Sequence, residues 1–190
     1  MILVATLYDQ FKTILQDAAG DRWPVSEFLM WCNEGQGELV RLKPDAKTRT
    51  YVAQLVPGAK QTLPNDAISL IEVTRNYLGV SVRRVDRQAL DVFKPDWMST
   101  PVASDVSEWM FSPAEPLRYF VSPAQNADPG RVELVYSAKP LVVTIADAVD
   151  VIDSYAPRLL SYCLYRAYSK DAEVEQNAAL AAAHYQVFSQ

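Results

Sequence analysis

The sequence predicts an α+β fold in which a β-rich segment is inserted between two pairs of helices. Apolar residues recur at steps of three or four near both ends of the 190-residue chain and at steps of two in parts of the middle. Ten of the twelve prolines lie between Pro44 and Pro140, as is usual where short strands are joined by tight loops. The expected parts are bundle helices at 1–47, a β-rich insertion at 48–140 and further bundle helices at 141–190.

Two helices are predicted in the first part. The spacing of the apolar residues places one helix at 3–19, with Gly20 as its stop. A second helix is predicted at 24–43. It begins at Pro24, because the missing N–H costs nothing at a first helical position, and it ends before Pro44.

The last part predicts two helices of different character, at 155–170 and 172–188. The first is apolar or aromatic on nearly every side, so it must be enclosed by a core or by neighbouring subunits. The second is rich in alanine, whose small side chain allows close helix approach. Its predicted apolar stripe consists of Val174, Ala178, Ala181, Tyr185 and Phe188.

Small residues inside these helices also carry structural information. Gly35 and Gly37 each cost about 1 kcal/mol within a helix, so we expect both to permit close packing against another helix. Cys32 and Cys163 lie in apolar helical patterns. They are expected to be buried free thiols.

The β-rich segment contains several strand and turn signals. We predict a hairpin around Pro57 and Gly58 and a second strand pair that turns at 76–79. Asp86 is expected to cap a short helix, DRQALDVF. Three further strands are predicted in SEWMF, LRYFVSP and RVELVYSAKP.

Charge and hydropathy exclude several classes of protein. The net charge of −5 and the pI of about 4.9 argue against general nucleic-acid binding, which requires a basic surface. The initial apolar run lacks a preceding basic region and is interrupted at Asp9, so neither a signal peptide nor a membrane span is expected.

No catalytic or cofactor-binding motif is present in the sequence. His184 is the only histidine, and no zinc, phosphate-binding, nucleotide-binding or serine-hydrolase pattern occurs. Asp147, Asp150 and Asp153 could converge on a divalent metal, but we interpret them as stabilising a helix N-terminus. We therefore expect no metal, no cofactor and no catalytic residue, and we expect Asn at these three positions to leave partner binding broadly intact.

Two other groups of side chains allow more than one interpretation. One is basic, and because alternation sends Arg83 and Arg84 to opposite faces of a strand, a solvated or subunit-contact role is favoured over DNA binding. It consists of Arg75, Arg83, Arg84 and Arg87. The other is aromatic and could line a sugar site, although a strand core is favoured. It consists of Trp97, Trp109, Phe111, Tyr119 and Phe120.

Several ordered stretches resemble a known family. They are Arg22-Trp23 with EFLMWCNEGQGELVRLKP, then LVPGAKQTLPNDAISLIEVTRN, then RYFVSPA, VELVYSAKP and YCLYRAYSKDAE. Together, over about residues 20–188, they are similar to the head-to-tail adaptor (connector) proteins of tailed bacteriophages, especially short-tailed ones. The chain differs from many relatives at Pro24-Val25, where a Ser-type cap is usual. A long portal-inserting tail is expected to be short or absent.

The resemblance implies a virion structural protein of the phage neck, present in the host cytoplasm during assembly. Such adaptors form a ring, typically of twelve copies, that docks under the portal protein and receives a tail or nozzle protein. Genomic DNA would pass through the ring without specific binding. Two alternatives remain open: a tail-completion or stopper protein of the same neck, and a carbohydrate-binding β-sandwich. An enzyme is the least favoured class.

Aromatic residues of the last two helices are the predicted subunit or portal interface. Positions three apart advance by about 300° around a helix, so the tyrosines at 162, 165 and 168 cannot all enter one core. Rings left at a surface are typical anchors of protein interfaces. We therefore expect Tyr165→Ala or Tyr168→Ala to affect ring formation more than monomer stability. The predicted interface residues are Tyr162, Tyr165, Tyr168, Tyr185 and Phe188.

Overall fold

The fold is α+β, as predicted. The computed structural model describes residues 1–99, 102–171 and 175–190. Two compact units divide the chain. Met1–Lys47 and Lys139–Gln190 form the helical unit, and Thr48–Ala138 form the sandwich unit.

Five α-helices are present in the described residues, four of them in the helical unit. Two one-turn 3-10 helices lie at Pro44–Ala46 and Asp153–Tyr155. The α-helices are α1 (Val4–Ile14), α2 (Val25–Leu42), α3 (Arg87–Phe93, in the sandwich unit), α4 (Ala156–Lys170) and α5 (Glu175–Ser189).

Helix α1 ends five residues before the predicted boundary. Gln16 adopts a left-handed conformation (φ 58°), and the N–H of Asp17 donates to the carbonyl of Lys12 at 2.9 Å. This six-residue hydrogen bond is the mark of a helix end of the Schellman type. The prediction of Gly20 as the stop was wrong because glutamine occupies the left-handed position that glycine usually fills.

Helix α4 is the centre of the helical unit, in contact with α1, α2 and α5. The chain itself therefore encloses the helix that is apolar on nearly every side. A Cβ on Gly35 would lie 2.7 Å from Tyr162 Cδ1 and 2.8 Å from Leu159 Cδ1, so close packing explains this glycine as predicted. The same explanation is wrong for Gly37, which faces open space.

The two cysteines lie beside each other in the contact between α2 and α4. Cys32 and Cys163 are free and fully buried, as predicted. Burial, followed by the neighbouring Cys32 thiol, raises the pKa of the Cys163 thiol well above its ordinary value. Both thiols therefore act as small apolar side chains in this core.

The strands of the sandwich unit form two sheets. They are β1 (Thr48–Gln54), β2 (Gly58–Thr62), β3 (Ala67–Asn76), β4 (Arg83–Arg84), β5 (Val102–Ala103), β6 (Glu108–Phe111), β7 (Arg118–Gln125) and β8 (Arg131–Ala138). In the first sheet the order is β1-β8-β3 and all pairs are antiparallel. In the second sheet the order is β2-β7-β6-β4, and β5 pairs with β7.

The main core of the sandwich unit lies between these sheets. Strand β8 buries Val132, Leu134 and Tyr136 on alternate positions, as its sequence predicts. A second cluster joins Leu90 of α3 to Phe120 on the other face of β7. Strand β7 is therefore covered on both faces, which explains its nearly continuous burial.

The predicted hairpin around Pro57 and Gly58 is absent. Strand β1 pairs with β8, whereas β2 pairs with β7 in the other sheet, so this turn carries the chain between sheets. The side-chain amide of Gln61 holds the turn, because it accepts from the N–H of Val56 and donates to the Val56 carbonyl, each at 2.8 Å.

Two other local predictions for this unit have different outcomes. The chain turns at 76–79, where the N–H of Gly79 donates to the carbonyl of Asn76 at 2.9 Å. The predicted strand pair around this turn was wrong, because β3 pairs with β8 and β4 pairs with β6 in the other sheet. The predicted cap of the short helix is confirmed. The carboxylate of Asp86 caps α3 by accepting from the N–H groups of Gln88 (2.9 Å) and Ala89 (3.1 Å).

The two glycines of α2 provide a matched pair of stability predictions. Gly35→Ala is expected to lower the free energy of unfolding by about 1–2 kcal/mol, because overpacking in the contact with α4 outweighs the gain in helix propensity. Gly37→Ala is expected to raise it by about 0.5–1 kcal/mol, since the new methyl meets nothing. Urea unfolding followed by circular dichroism measures both, and stabilisation by both substitutions would contradict the packing argument.

Candidate interaction surface

Helices α4 and α5 pack through a ladder of aromatic rings. Each ring pair joins one residue of α4 to one residue of α5. The rings of Tyr168 and His184 are nearly parallel, with an interplanar angle of 8°. The pairs, with the distances between ring centroids, are Tyr162–Phe188 (4.8 Å), Tyr165–Tyr185 (5.0 Å) and Tyr168–His184 (5.7 Å).

This ladder corrects the reason for placing the rings at an interface. Phe188 is fully buried and Tyr162 is 8% exposed, while Tyr165 and Tyr168 are half-buried. Among the five predicted interface residues, only Tyr185 is largely exposed, at 40%. The tyrosines of α4 are not surplus to the core, because α5 covers them.

The buried line of α5 also differs from the predicted stripe. Ala181 and Phe188 are buried, and Asn177 and His184 are half-buried between them. These four positions are again spaced by three or four residues. The helix is therefore rotated relative to the prediction, since stacking on Tyr168 places His184 against α4.

Two members of the predicted stripe, Ala178 and Tyr185, are exposed, and Val174 lies outside the described residues. Exposed apolar side chains instead follow the outward side and one flank of α5. Leu180 and Val187 are 42% and 50% exposed. We call the group formed by Ala179, Leu180, Ala183 and Val187 the α5 face.

No charged residue interrupts the α5 face. The segment from Gln176 to Gln190 contains no Asp, Glu, Lys or Arg, in a chain in which 22% of residues are charged. Burial lowers the pKa of His184, so its ring is neutral at pH 7. Solvated helices ordinarily carry charges on the outward side, so this face is the strongest candidate for a partner contact. The absence of charged residues from 176–190 is a sequence signal that could have identified this face.

The three aspartates at 147, 150 and 153 do not converge. Asp147 accepts from the N–H of Thr144 at 2.7 Å, and Asp150 pairs with Lys47 and accepts from the N–H of Leu141 at 2.7 Å. No group of metal-ligating side chains assembles within 1–99, 102–171 and 175–190.

Asp153 accepts from the N–H of Ile2 at 3.2 Å, so each aspartate binds a different backbone group. The helix N-terminus interpretation was wrong for Asp147 and Asp150, because both lie in the loop before α4 and their carboxylates bind loop backbone. Asp153 opens a one-turn 3-10 helix and not α4 itself. These side chains fix the path of the 139–153 loop.

The predicted basic group does not form one site. Arg83 pairs with the carboxylate of Glu108 at 2.6 Å, while the guanidinium of Arg84 lies over the ring of Trp109. Arg84 and Arg87 line an open cleft of about 780 Å³ together with Asp86 and Asp91. Two cations beside two carboxylates do not select an anion such as phosphate.

The aromatic residues of the sandwich unit belong to its cores. Trp97, Trp109, Tyr119 and Phe120 are each at most 5% exposed, and Phe111 packs against the main core. Burial raises the pKa of the Tyr119 hydroxyl above its ordinary range. Sugar rings stack on exposed aromatic faces, so this burial favours the core interpretation over a carbohydrate site.

We predict that the stability of the helical unit depends on pH through His184, the single histidine of the chain. Because burial lowers the pKa of His184 in the folded chain, the unfolded chain binds the proton more readily. Stability should be constant above about pH 6.5 and should fall as the pH drops below it. Thermal melts followed by helical circular dichroism between pH 7.5 and 5.5 measure this. The variant His184→Phe keeps a ring against Tyr168 and should flatten the dependence; an unchanged slope would contradict the assignment.

Comparison with known proteins gives one match of nearly full length. Residues 3–190 match the family described as SU10 adaptor protein. No individual curated protein matches the chain. Within the described part of the chain, no helix has the length and apolarity needed to cross a membrane. The match covers both units and their connections, and the chain therefore belongs to the SU10 adaptor family of bacteriophage head-to-tail adaptors.

Proposed function

We propose that this chain assembles into a ring, of twelve copies as its family resemblance implies, between the portal and the tail of a short-tailed phage. The ring would dock on the portal protein after genome packaging, receive a tail or nozzle protein, and let genomic DNA pass through its channel. Assembly would take place in the host cytoplasm, and the finished ring would reside in the virion neck. The role requires neither a metal nor a cofactor nor a catalytic residue.

The α5 face is the observation that carries this proposal. Leu180 and Val187 are exposed within the charge-free segment 176–190, in a helical unit whose net charge is −4. The interior of a protein interface is depleted in charge in the same way. We assign this face to the portal contact.

The rigidity of this face supports the assignment. Helix α5 is held on α4 by the aromatic ladder, and α4 is held on α2 by two ion pairs, Arg166–Glu34 and Lys170–Glu27. A surface that is ordered before binding loses less entropy on association. The α5 face is therefore suited to docking without rearrangement.

The net negative charge of the chain supports the passage of DNA through the ring without tight binding. Thirteen acidic and nine basic residues lie in the helical unit, and ten acidic and nine basic residues lie in the sandwich unit. Both units are thus net negative, by four and by one. Repetition of this charge around a ring repels phosphate, whereas DNA-binding surfaces require clustered cations.

A charge placed on the α5 face tests the proposed portal contact. Leu180→Glu is expected to weaken binding to the cognate portal protein at least about tenfold, because a carboxylate would be buried without a partner. The change in thermal midpoint should be small, since residue 180 is 42% exposed. Surface plasmon resonance and a thermal melt provide the two measurements.

Ile14→Glu is the matched control, because Ile14 is an exposed apolar residue of α1 at 47%. It should leave portal binding unchanged. Equal binding by the two variants would remove the α5 face from the interface. Binding of the wild-type chain to a tail protein but not to the portal would instead favour a tail-completion or stopper protein.

The variant Tyr165→Ala cannot separate portal binding from monomer stability. Its ring packs on Tyr185 within the chain, so its removal should lower monomer stability and portal binding together.

A further inference from the structure

The turn between β3 and β4 exposes apolar side chains at the edge of the sandwich unit. Leu78 and Val80 are 87% and 72% exposed, and Tyr77 is 38% exposed. Arg75 and Arg131 are exposed beside them. We call these five residues the turn patch.

The turn patch is held rigidly from beneath. The buried side-chain amide of Asn76 donates to the carbonyl of Val106 at 2.7 Å and accepts from the N–H of Val106 at 2.8 Å. The N–H of Tyr77 donates to the carbonyl of Arg131 at 2.8 Å. None of these bonds uses the side chain of Leu78, so its leucine identity is not needed to form the turn.

The backbone conformation of Leu78 is one in which leucine is uncommon. Its φ is +58°, at the third position of a turn where glycine is the usual residue. A branched side chain is unfavourable in this left-handed conformation, and here it gains almost no burial in return. The side chain of Leu78 is therefore not stabilised by burial among the residues that the structure describes, which points to a contact outside the chain.

Two guanidinium groups give the turn patch a net positive charge, although the register places one carboxylate, that of Glu133, opposite Arg75. Arg131 lies over the ring of Tyr77 at 4.3 Å, and the β3–β8 register places Arg75 on the same sheet face. Neither arginine is paired with a carboxylate among the residues that the structure describes. Tyrosine and arginine around an apolar centre are the composition of interface hot spots.

We propose that the turn patch binds a second copy of this chain, through the acidic helical unit of that copy. The helical unit has a net charge of −4 and exposes aliphatic side chains such as Leu141 and Val142, so it complements a cationic patch with an apolar tip. A ring needs such a contact between two different surfaces of the same chain. This inference rests on the proposed ring and assigns one of its subunit interfaces.

Photo-crosslinking from position 78 tests the identity of the partner. The full chain carrying p-benzoylphenylalanine in place of Leu78 is assembled with the cognate portal protein and irradiated. We expect covalent dimers of this chain whose crosslinked peptides lie within 1–47 or 139–190. Crosslinks confined to the portal, to the sandwich unit of the second copy, or to no protein would overturn the proposal.

The variant Leu78→Gly separates an interface role from a structural one. Glycine suits the positive φ, so the urea midpoint of the monomer should stay unchanged or rise, while the concentration for half-assembly should rise about tenfold. Leu117→Gly is the control, because Leu117 is an exposed leucine of another turn at 48%. Sedimentation velocity measures assembly, and equal assembly by the two variants would overturn the proposal.

The outcomes also distinguish this inference from the function on which it rests. A ring that forms normally with Leu78→Gly would leave the adaptor function standing and remove only the turn patch. A wild-type chain that stays monomeric both alone and with the portal would contradict the proposed ring itself and, with it, this interface.

Discussion

The close contact between α2 and α4 at Gly35 is the constraint on which the helical unit depends. Without a Cβ at this position, Leu159 and Tyr162 can approach the backbone of α2. Tyr162 then presents its ring to Phe188, so the placement of α5 follows from the placement of α4. The exposed side of α5 is thus decided by a missing methyl group on a helix that precedes it by more than 130 residues.

Helix α2 also organises the loop that leads into α4. The side-chain amide of Asn33 both donates to the carbonyl of Val143 and accepts from its N–H, and the buried oxygen of Gln36 accepts from the N–H of Asp150. These two side-chain amides therefore satisfy loop backbone groups that a strand or helix would otherwise pair. Asp150 extends this hydrogen-bond network, because its carboxylate accepts from the N–H of Leu141 and pairs with Lys47.

The two candidate surfaces differ in chemistry, and each fits a different kind of partner. The α5 face is apolar and uncharged, as expected for a contact that excludes water from a wide area. The turn patch combines an apolar tip with unpaired arginines, so it favours an acidic partner and a fixed register. In the proposed ring both kinds of contact are needed, because each chain would bind copies of itself and also a different protein.

The sequence by itself determined the features that depend on neighbouring residues. These include the α+β class, the cap at Asp86 and the alternation of β8, since periodicity and capping act within a few residues. Tertiary structure alone decided that the strands flanking Pro57 and Gly58 enter different sheets, because strand pairing joins residues far apart in the chain. It also decided the buried side of α5. A helix with small apolar residues on every side has no preferred face until the rings of Tyr165 and Tyr168 select one.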